Sequence, residues 1–159
     1  MLQNIQIREF TDDDLQAVYQ LIQHTIDVSY REAYPEEAVE FFKDYHSEEQ
    51  ILNDAANGYT VVAECNGEIF GTGTLSGTNI RRVFVNPHHQ QKGTGKLIVR
   101  QLEKKALIEK VTTLDLEASL VSRQFWESLG FVIQSEEYFP VSNDKRLHYS
   151  RMTKTLDIS

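Results

Sequence analysis

Val83-Phe84-Val85-Asn86-Pro87-His88-His89-Gln90-Gln91-Lys92-Gly93-Thr94-Gly95-Lys96-Leu97 passes from a β-branched and aromatic run, through a glycine-bearing turn, into a helical pattern. The strand stops at Asn86-Pro87, because proline cannot donate to a ladder. Beyond the turn, Leu97, Ile98, Leu102 and Ala106 recur at helical spacing, with Arg100, Glu103, Lys104 and Lys105 on the other face. Gln90-Gln91-Lys92-Gly93-Thr94-Gly95 therefore opens a helix, where main-chain N–H groups lack intrahelical acceptors and attract anions. The glycines let a bare backbone approach a diphosphate and aim successive amides at it. Lys92 and Lys96 add charge at the rim. Alone, this feature reads equally well as a phosphate cradle or a plain turn. The P-loop ending in Gly-Lys-Ser/Thr is absent, and the dinucleotide fingerprint needs a third glycine and a purely parallel βαβ unit.

Upstream, Ile5-Gln6-Ile7-Arg8-Glu9-Phe10 alternates as a strand buried on one face. Thr11 then caps a helix predicted to run to about His24, with Asp12, Asp13 and Asp14 at its dipole-favoured start. A second helix follows Pro35 through Tyr45, joined to the first by the polar and aromatic connector Asp27–Tyr34. Tyr59 to Cys65 and Glu68 to Ser76 flank Asn66-Gly67, a strong hairpin signal because both turn positions need positive φ. Ile80 to Val85 joins this antiparallel group. Arg81 and Arg82 alternate on it, so at most one should face a slot beside the strand. Downstream, Thr113 to Ala118 reads as a strand, Ser119 to Leu129 as a helix closed by Gly130, and Phe131–Ile133 and Leu147–Met152 as final strands. The order predicts an α/β fold with a mixed, mostly antiparallel central sheet, locally parallel around the helix crossover.

With 159 residues, the chain is expected to form one domain, 1–159. The formal charge of −8 argues against a duplex-binding protein and favours cationic small molecules. No apolar run approaches the roughly 20 residues of a membrane span, and Met1-Leu2-Gln3-Asn4-Ile5 has no export-signal character, so a cytoplasmic address is expected. Cys65 is the single cysteine, which excludes an intramolecular disulfide and a Cys-rich metal site. His88-His89 are adjacent and point apart, with no third ligand spaced for them, so no metal is expected and they read as a solvated loop.

The central stretch resembles the acyl-CoA-binding motif of the GNAT acetyltransferase superfamily, Gln/Arg-x-x-Gly-x-Gly/Ala after a strand ending in Val-x-Pro. Phe125-Trp126-Glu127-Ser128-Leu129-Gly130-Phe131 is similar to the family's Phe-Tyr-x-x-Leu-Gly-Phe helix. Ile7-Arg8 with Asp14-Leu15, and Asn66 to Gly71, also stand where the family keeps similar residues. The similarity spans about Ile5 to Thr155.

The resemblance implies helices on both faces of the sheet and a V-shaped splay between the strand ending at Val85 and the parallel strand Thr113–Ala118. It implies that pantetheine pairs with the backbone of Val83, Phe84 and Val85, and that Gln90, Gln91, Lys92, Gly93, Thr94, Gly95 and Lys96 cradle the pyrophosphate. Ser119, Phe125 and Trp126 complete the acetyl-CoA site. The implied reaction is acetyl transfer to a primary amine of a small molecule or peptide, without metal, nucleic acid or membrane, in a possible homodimer. Rival readings are a catalytically weak acyl-CoA-binding regulatory module and a nucleotide-binding α/β protein.

Two departures matter. Trp126 stands where the family usually has a tyrosine thought to protonate the departing thiolate, and an indole N–H is too weak an acid for that. The remaining phenols weighed for the task are Tyr138, Tyr30 and Tyr34. Ser119 replaces a common asparagine. Glu117, near the end of its strand, is the first candidate for general base, and Glu32 the second. Tyr30, Glu32 and Tyr34 are expected at the acceptor mouth, with Phe41 and Phe42 in the core or the pocket wall. The resemblance implies that the connector Asp27–Tyr34 and the segment Ser135–Asp144 set acceptor choice.

Overall fold

The computed structural model describes residues 4–90 and 92–157; Gln91, expected in the phosphate turn, lies outside them. The strands are β1 (Gln6–Glu9), β2 (Tyr59–Cys65), β3 (Glu68–Ser76), β4 (Asn79–Val85), β5 (Thr113–Ser119), β6 (Val132–Pro140) and β7 (Arg146–Thr155). The helices are α1 (Leu15–Ser29), α2 (Glu36–Tyr45), α3 (Glu48–Asn57), α4 (Thr94–Ile108) and α5 (Arg123–Ser128). One sheet takes the order β1-β2-β3-β4-β5-β7-β6, antiparallel at every contact except β4–β5. Mixed, mostly antiparallel pairing with helices on both faces is the predicted fold class.

Several boundaries differ from the sequence reading. α1 runs to Ser29 because Thr25 and Ile26 continue its buried stripe. α3 is additional, capped by the Ser47 hydroxyl, which accepts from the Gln50 N–H. Ser119 ends β5 instead of opening a helix, since β5 stays paired with β7 as far as Ser119–Tyr149. β6 and β7 are longer than expected, and the segment Ser135–Asp144 is mostly β6.

Each face of the sheet buries its own core. Val61, Ile98, Leu102, Leu116, Trp126 and Met152 belong to the α4–α5 side. Val18, Ile22, Val39, Val62, Phe84 and Leu147 belong to the side covered by α1, α2 and α3. At the sheet edge, Asp14 accepts from both terminal nitrogens of Arg8 at 2.8 and 2.9 Å and from the Thr11 N–H at 2.8 Å. The Arg8 hydrogen bonds hold the Asp14 carboxyl below its usual range against the effect of burial. A carboxyl with a depressed folded pKa stabilises fully above its unfolded value and loses that contribution as pH falls through the folded one. Asp14→Asn should therefore cost about 1–2 kcal/mol at neutral pH, the partly exposed Arg8 moderating the loss. The gap from the parent should close in acid, as read by urea unfolding at pH 7 and pH 3.

Candidate functional site

β4 and β5 start together and then part. Asn79 Nδ2 donates to Asp115 Oδ1 at 2.8 Å, the Asp115 N–H to the Thr78 carbonyl at 3.0 Å, and the Thr78 hydroxyl to Asp115 Oδ2 at 2.6 Å. Among the described residues, Asn79–Asp115 is the one ladder pair between the two strands. From Ile80 onward the β5-facing edge of β4 lacks a ladder partner, which opens the expected V. The Asn86 N–H donates to the Phe70 carbonyl on the β3 side at 2.8 Å. By strand alternation the preceding Val85 N–H faces the opening. The Val85 carbonyl accepts from the Gln90 side-chain amide at 2.9 Å, so Gln90 folds back over the end of β4.

The glycine turn meets this edge. Gly93 is the N-cap of α4 with φ +84°, a conformation L-residues resist, and no side chain among the described residues caps the helix. The first intrahelical bond from this end is the Leu97 N–H to the Gly93 carbonyl, which leaves the amides of Thr94, Gly95 and Lys96 for an outside acceptor. Among the described residues the buried Thr94 hydroxyl has no hydrogen-bond partner, while Lys92 and Lys96 are exposed at the rim. Gly95 also has a packing role: a Cβ there would lie 2.9 and 3.0 Å from the Phe125 ring and 3.8 Å from Val85. His89 is half-buried, its ring centroid 4.6 Å from that of Phe70, not part of a solvated loop as expected.

A cavity of about 330 Å³ occupies the V and extends toward α2. β4 contributes Asn79 through Phe84, β5 contributes Leu116, Glu117 and Ser119, and Trp126 lines it from α5. Tyr30, Phe41, Phe42, Tyr45, Phe139 and Tyr149 supply aromatic walls. Trp126 is buried, edge-on to Phe125 and Phe131 with centroids 5.0 and 5.2 Å apart. The Ser119 hydroxyl donates to that of Ser122 at 3.0 Å. The Tyr30 phenol is raised by burial, partly offset by a hydrogen bond with Ser119. Burial also raises the Tyr149 phenol, with the Glu117 charge adding to it.

Three expected residues lie elsewhere. Tyr34 is not at the mouth: its buried hydroxyl donates to the His148 carbonyl at 2.7 Å and accepts from the Leu120 N–H at 2.8 Å, so it ties β7 to the turn after β5. Glu32 points to solvent, because Tyr30 and Tyr34 share the inward face of the same helical turn. Tyr138 lies on the exposed face of β6 under the Arg146 guanidinium, 4.2 Å from the ring centroid, while its neighbour Phe139 turns into the cavity.

Sequence reasoning missed the charged floor. Arg82 adopts φ +58° at a register shift between β3 and β4, so both Arg81 and Arg82 turn toward α3, contrary to simple alternation. Buried Arg82 donates to Asp54 Oδ2 at 3.0 and 2.8 Å and to His46 Nδ1 at 3.2 Å. Burial, reinforced by the Arg82 charge, lowers His46 to about 3, so it stays neutral. Burial likewise lowers Arg82, opposed by Asp54.

A family model described as acetyltransferase (GNAT) domain matches residues 30–156. Similar solved structures include a GCN5-related N-acetyltransferase from Rhodopseudomonas palustris, 22% identical with a TM-score of 0.88, over 98% of this chain and 99% of that one. The PaiA N-acetyltransferase of Thermoplasma acidophilum, solved with coenzyme A, is 18% identical with a TM-score of 0.77 over 96% and 99% of the chains. YncA of Salmonella typhimurium, solved with acetyl-CoA, is 19% identical with a TM-score of 0.69 over 98% and 96%. No curated protein sequence matches the chain. Among the described residues, no helix is long and apolar enough to cross a membrane.

Proposed function

The chain belongs to the GNAT acetyltransferase family, and from that premise we propose that it transfers an acetyl group from acetyl-CoA to a primary amine by direct attack. The observation that carries the reading is the meeting of an uncapped α4 N-terminus with the unpaired edge of β4. The amides of Thr94, Gly95 and Lys96 suit a diphosphate, with Lys92 and Lys96 at the rim. The free edge at Val83–Val85 suits the two amides of a pantetheine arm, added like a strand.

In this reading the Val85 N–H donates to the thioester oxygen as negative charge grows on it. Glu117 lines the cavity on the β5 side and serves as general base, directly or through water, taking the proton that the ammonium must lose. The amine nitrogen bonds to the carbonyl carbon, the carbon–sulfur bond breaks, and the thiolate leaves, taking up the second proton that the nitrogen sheds as it becomes an amide. A thiol with a pKa of about 8.5 needs limited help near neutral pH. The phenols that line the cavity, Tyr30 and Tyr149, are held protonated and can hydrogen-bond the sulfur. Tyr138 is too far outside the cavity wall for that role, and Trp126 serves as wall.

Assayed as CoA release against a panel of amines, the protein should turn over at least one. Trp126→Tyr should change kcat by less than about tenfold, since a fully effective general acid contributes about 10²–10⁴-fold and the reading assigns none to this position. A gain of about a hundredfold or more would instead favour a catalytically weak acyl-CoA-binding module, as would tight CoA binding with no turnover of any amine.

A further inference from the structure

The charged floor of the cavity has an unequal balance. Arg82 and Asp54 neutralise each other through two hydrogen bonds of 3.0 and 2.8 Å, and His46 adds no charge, because its Nδ1 accepts from Arg82. Arg81 is left over. Its Nε donates to the neutral Asn79 side chain at 2.8 Å, and its nearest carboxylate oxygen is the already shared Asp54 Oδ2, 3.5 Å away. Its side chain is 34% exposed and lines the cavity among aromatic rings, where a charge lacks the solvation of open water. Across the V stands Glu117, two residues beyond Asp115 as Arg81 is two residues beyond Asn79. One wall thus offers a spare positive charge and the other a negative one.

We propose that the acceptor is an amine that also carries a carboxylate, of the amino acid class with an aromatic or apolar body, and that Arg81 binds that carboxylate. The proposal rests on the acyltransferase reading. The Arg82–Asp54–His46 cluster holds the floor rigid behind Arg81, a guanidinium presents two parallel donors to a carboxylate, and the ammonium then lies toward Glu117 and the thioester. The aromatic rings contact the body of the molecule. An acceptor with several positive charges and no carboxylate, such as a polyamine, would place a cation against Arg81.

The test compares two acetylated products that differ by one carboxylate, N-acetyl-L-phenylalanine and N-acetylphenethylamine, titrated calorimetrically into the protein in the presence of CoA. The carboxylate should confer roughly tenfold or tighter binding, the range of a charge-assisted hydrogen-bonded contact. Arg81→Gln should bring the ratio close to one, and Arg81→Lys should keep part of it. Equal affinity, binding of neither product, tighter binding of N-acetylspermidine, or an unchanged ratio in Arg81→Gln overturns the proposal. Failure of the acyltransferase reading shows separately, as absent CoA binding or absent CoA release with every amine.

Discussion

Gly95→Val is expected to weaken CoA binding by about a hundredfold or more while the protein still folds. The new Cβ would stand 2.9–3.0 Å from the Phe125 ring, closer than packed carbons tolerate, and its branches would cover the α4 amides that have no intrahelical acceptor. A hundredfold loss corresponds to about 2.7 kcal/mol, the size expected when a few charge-assisted amide contacts are blocked together. A purely structural role for Gly95 predicts something else. Phe125→Ala removes the obstructing ring, so Gly95→Val with Phe125→Ala would regain both stability and CoA affinity if packing were the whole story. The account expects the double variant to recover stability and to stay weak for CoA relative to Phe125→Ala alone. Calorimetric titration with a parallel melting curve reads both quantities.

Arg82→Ala is expected to have the largest effect on stability, about 3–5 kcal/mol, because it leaves the Asp54 carboxylate buried with a single, longer contact to Arg81. For a domain of this length that corresponds to a fall in Tm of roughly 10 °C or more. The strain of φ +58° persists with alanine, so the substitution isolates the loss of charge and hydrogen bonds. Replacing both partners, as in Arg82→Met with Asp54→Leu, should be less damaging than Arg82→Met alone, since no orphaned charge remains. If Arg82→Ala melted within about 2 °C of the parent, the cluster would have no structural weight and the rigid floor argued for Arg81 would be lost.

The sequence was most informative where the physics is local. The Asn66-Gly67 turn, the apolar-rich runs of β2 and β3, and the strand–glycine–helix passage from Val83 to Leu97 each depend on neighbours a few residues apart, and each appears in the structure. α3 carries a local signal too, since Ser47 precedes Glu48, Glu49 and Gln50 as an N-cap signature, but its apolar stripe of Ile51 and Leu52 is too short to stand out as a helix. The divergence of β4 from β5 was expected from family resemblance; the structure adds where it begins, just past the Asn79–Asp115 pair.

The rest was hidden because it depends on distant or atypical geometry. Arg82 meets Asp54 across 28 positions, and nothing at Arg82 announces a left-handed backbone that defeats period-two alternation. Tyr34 was expected at the mouth because it is aromatic and lies in the connector. Its hydroxyl instead joins the Leu120 N–H and the His148 carbonyl, partners 86 and 114 residues away. Tyr138 and Phe139 differ by one step in register, and the sequence does not say which of them turns inward.

Amide hydrogen exchange with and without CoA tests the central claim most directly, because it reads the proposed contacts one nitrogen at a time. The account predicts slower exchange at Val83 and Val85, on the unpaired edge of β4, and at Thr94, Gly95 and Lys96, with the outer strand β6 unchanged. Binding of CoA that left those five amides exchanging at their free rate, or protection confined to another surface, would contradict it.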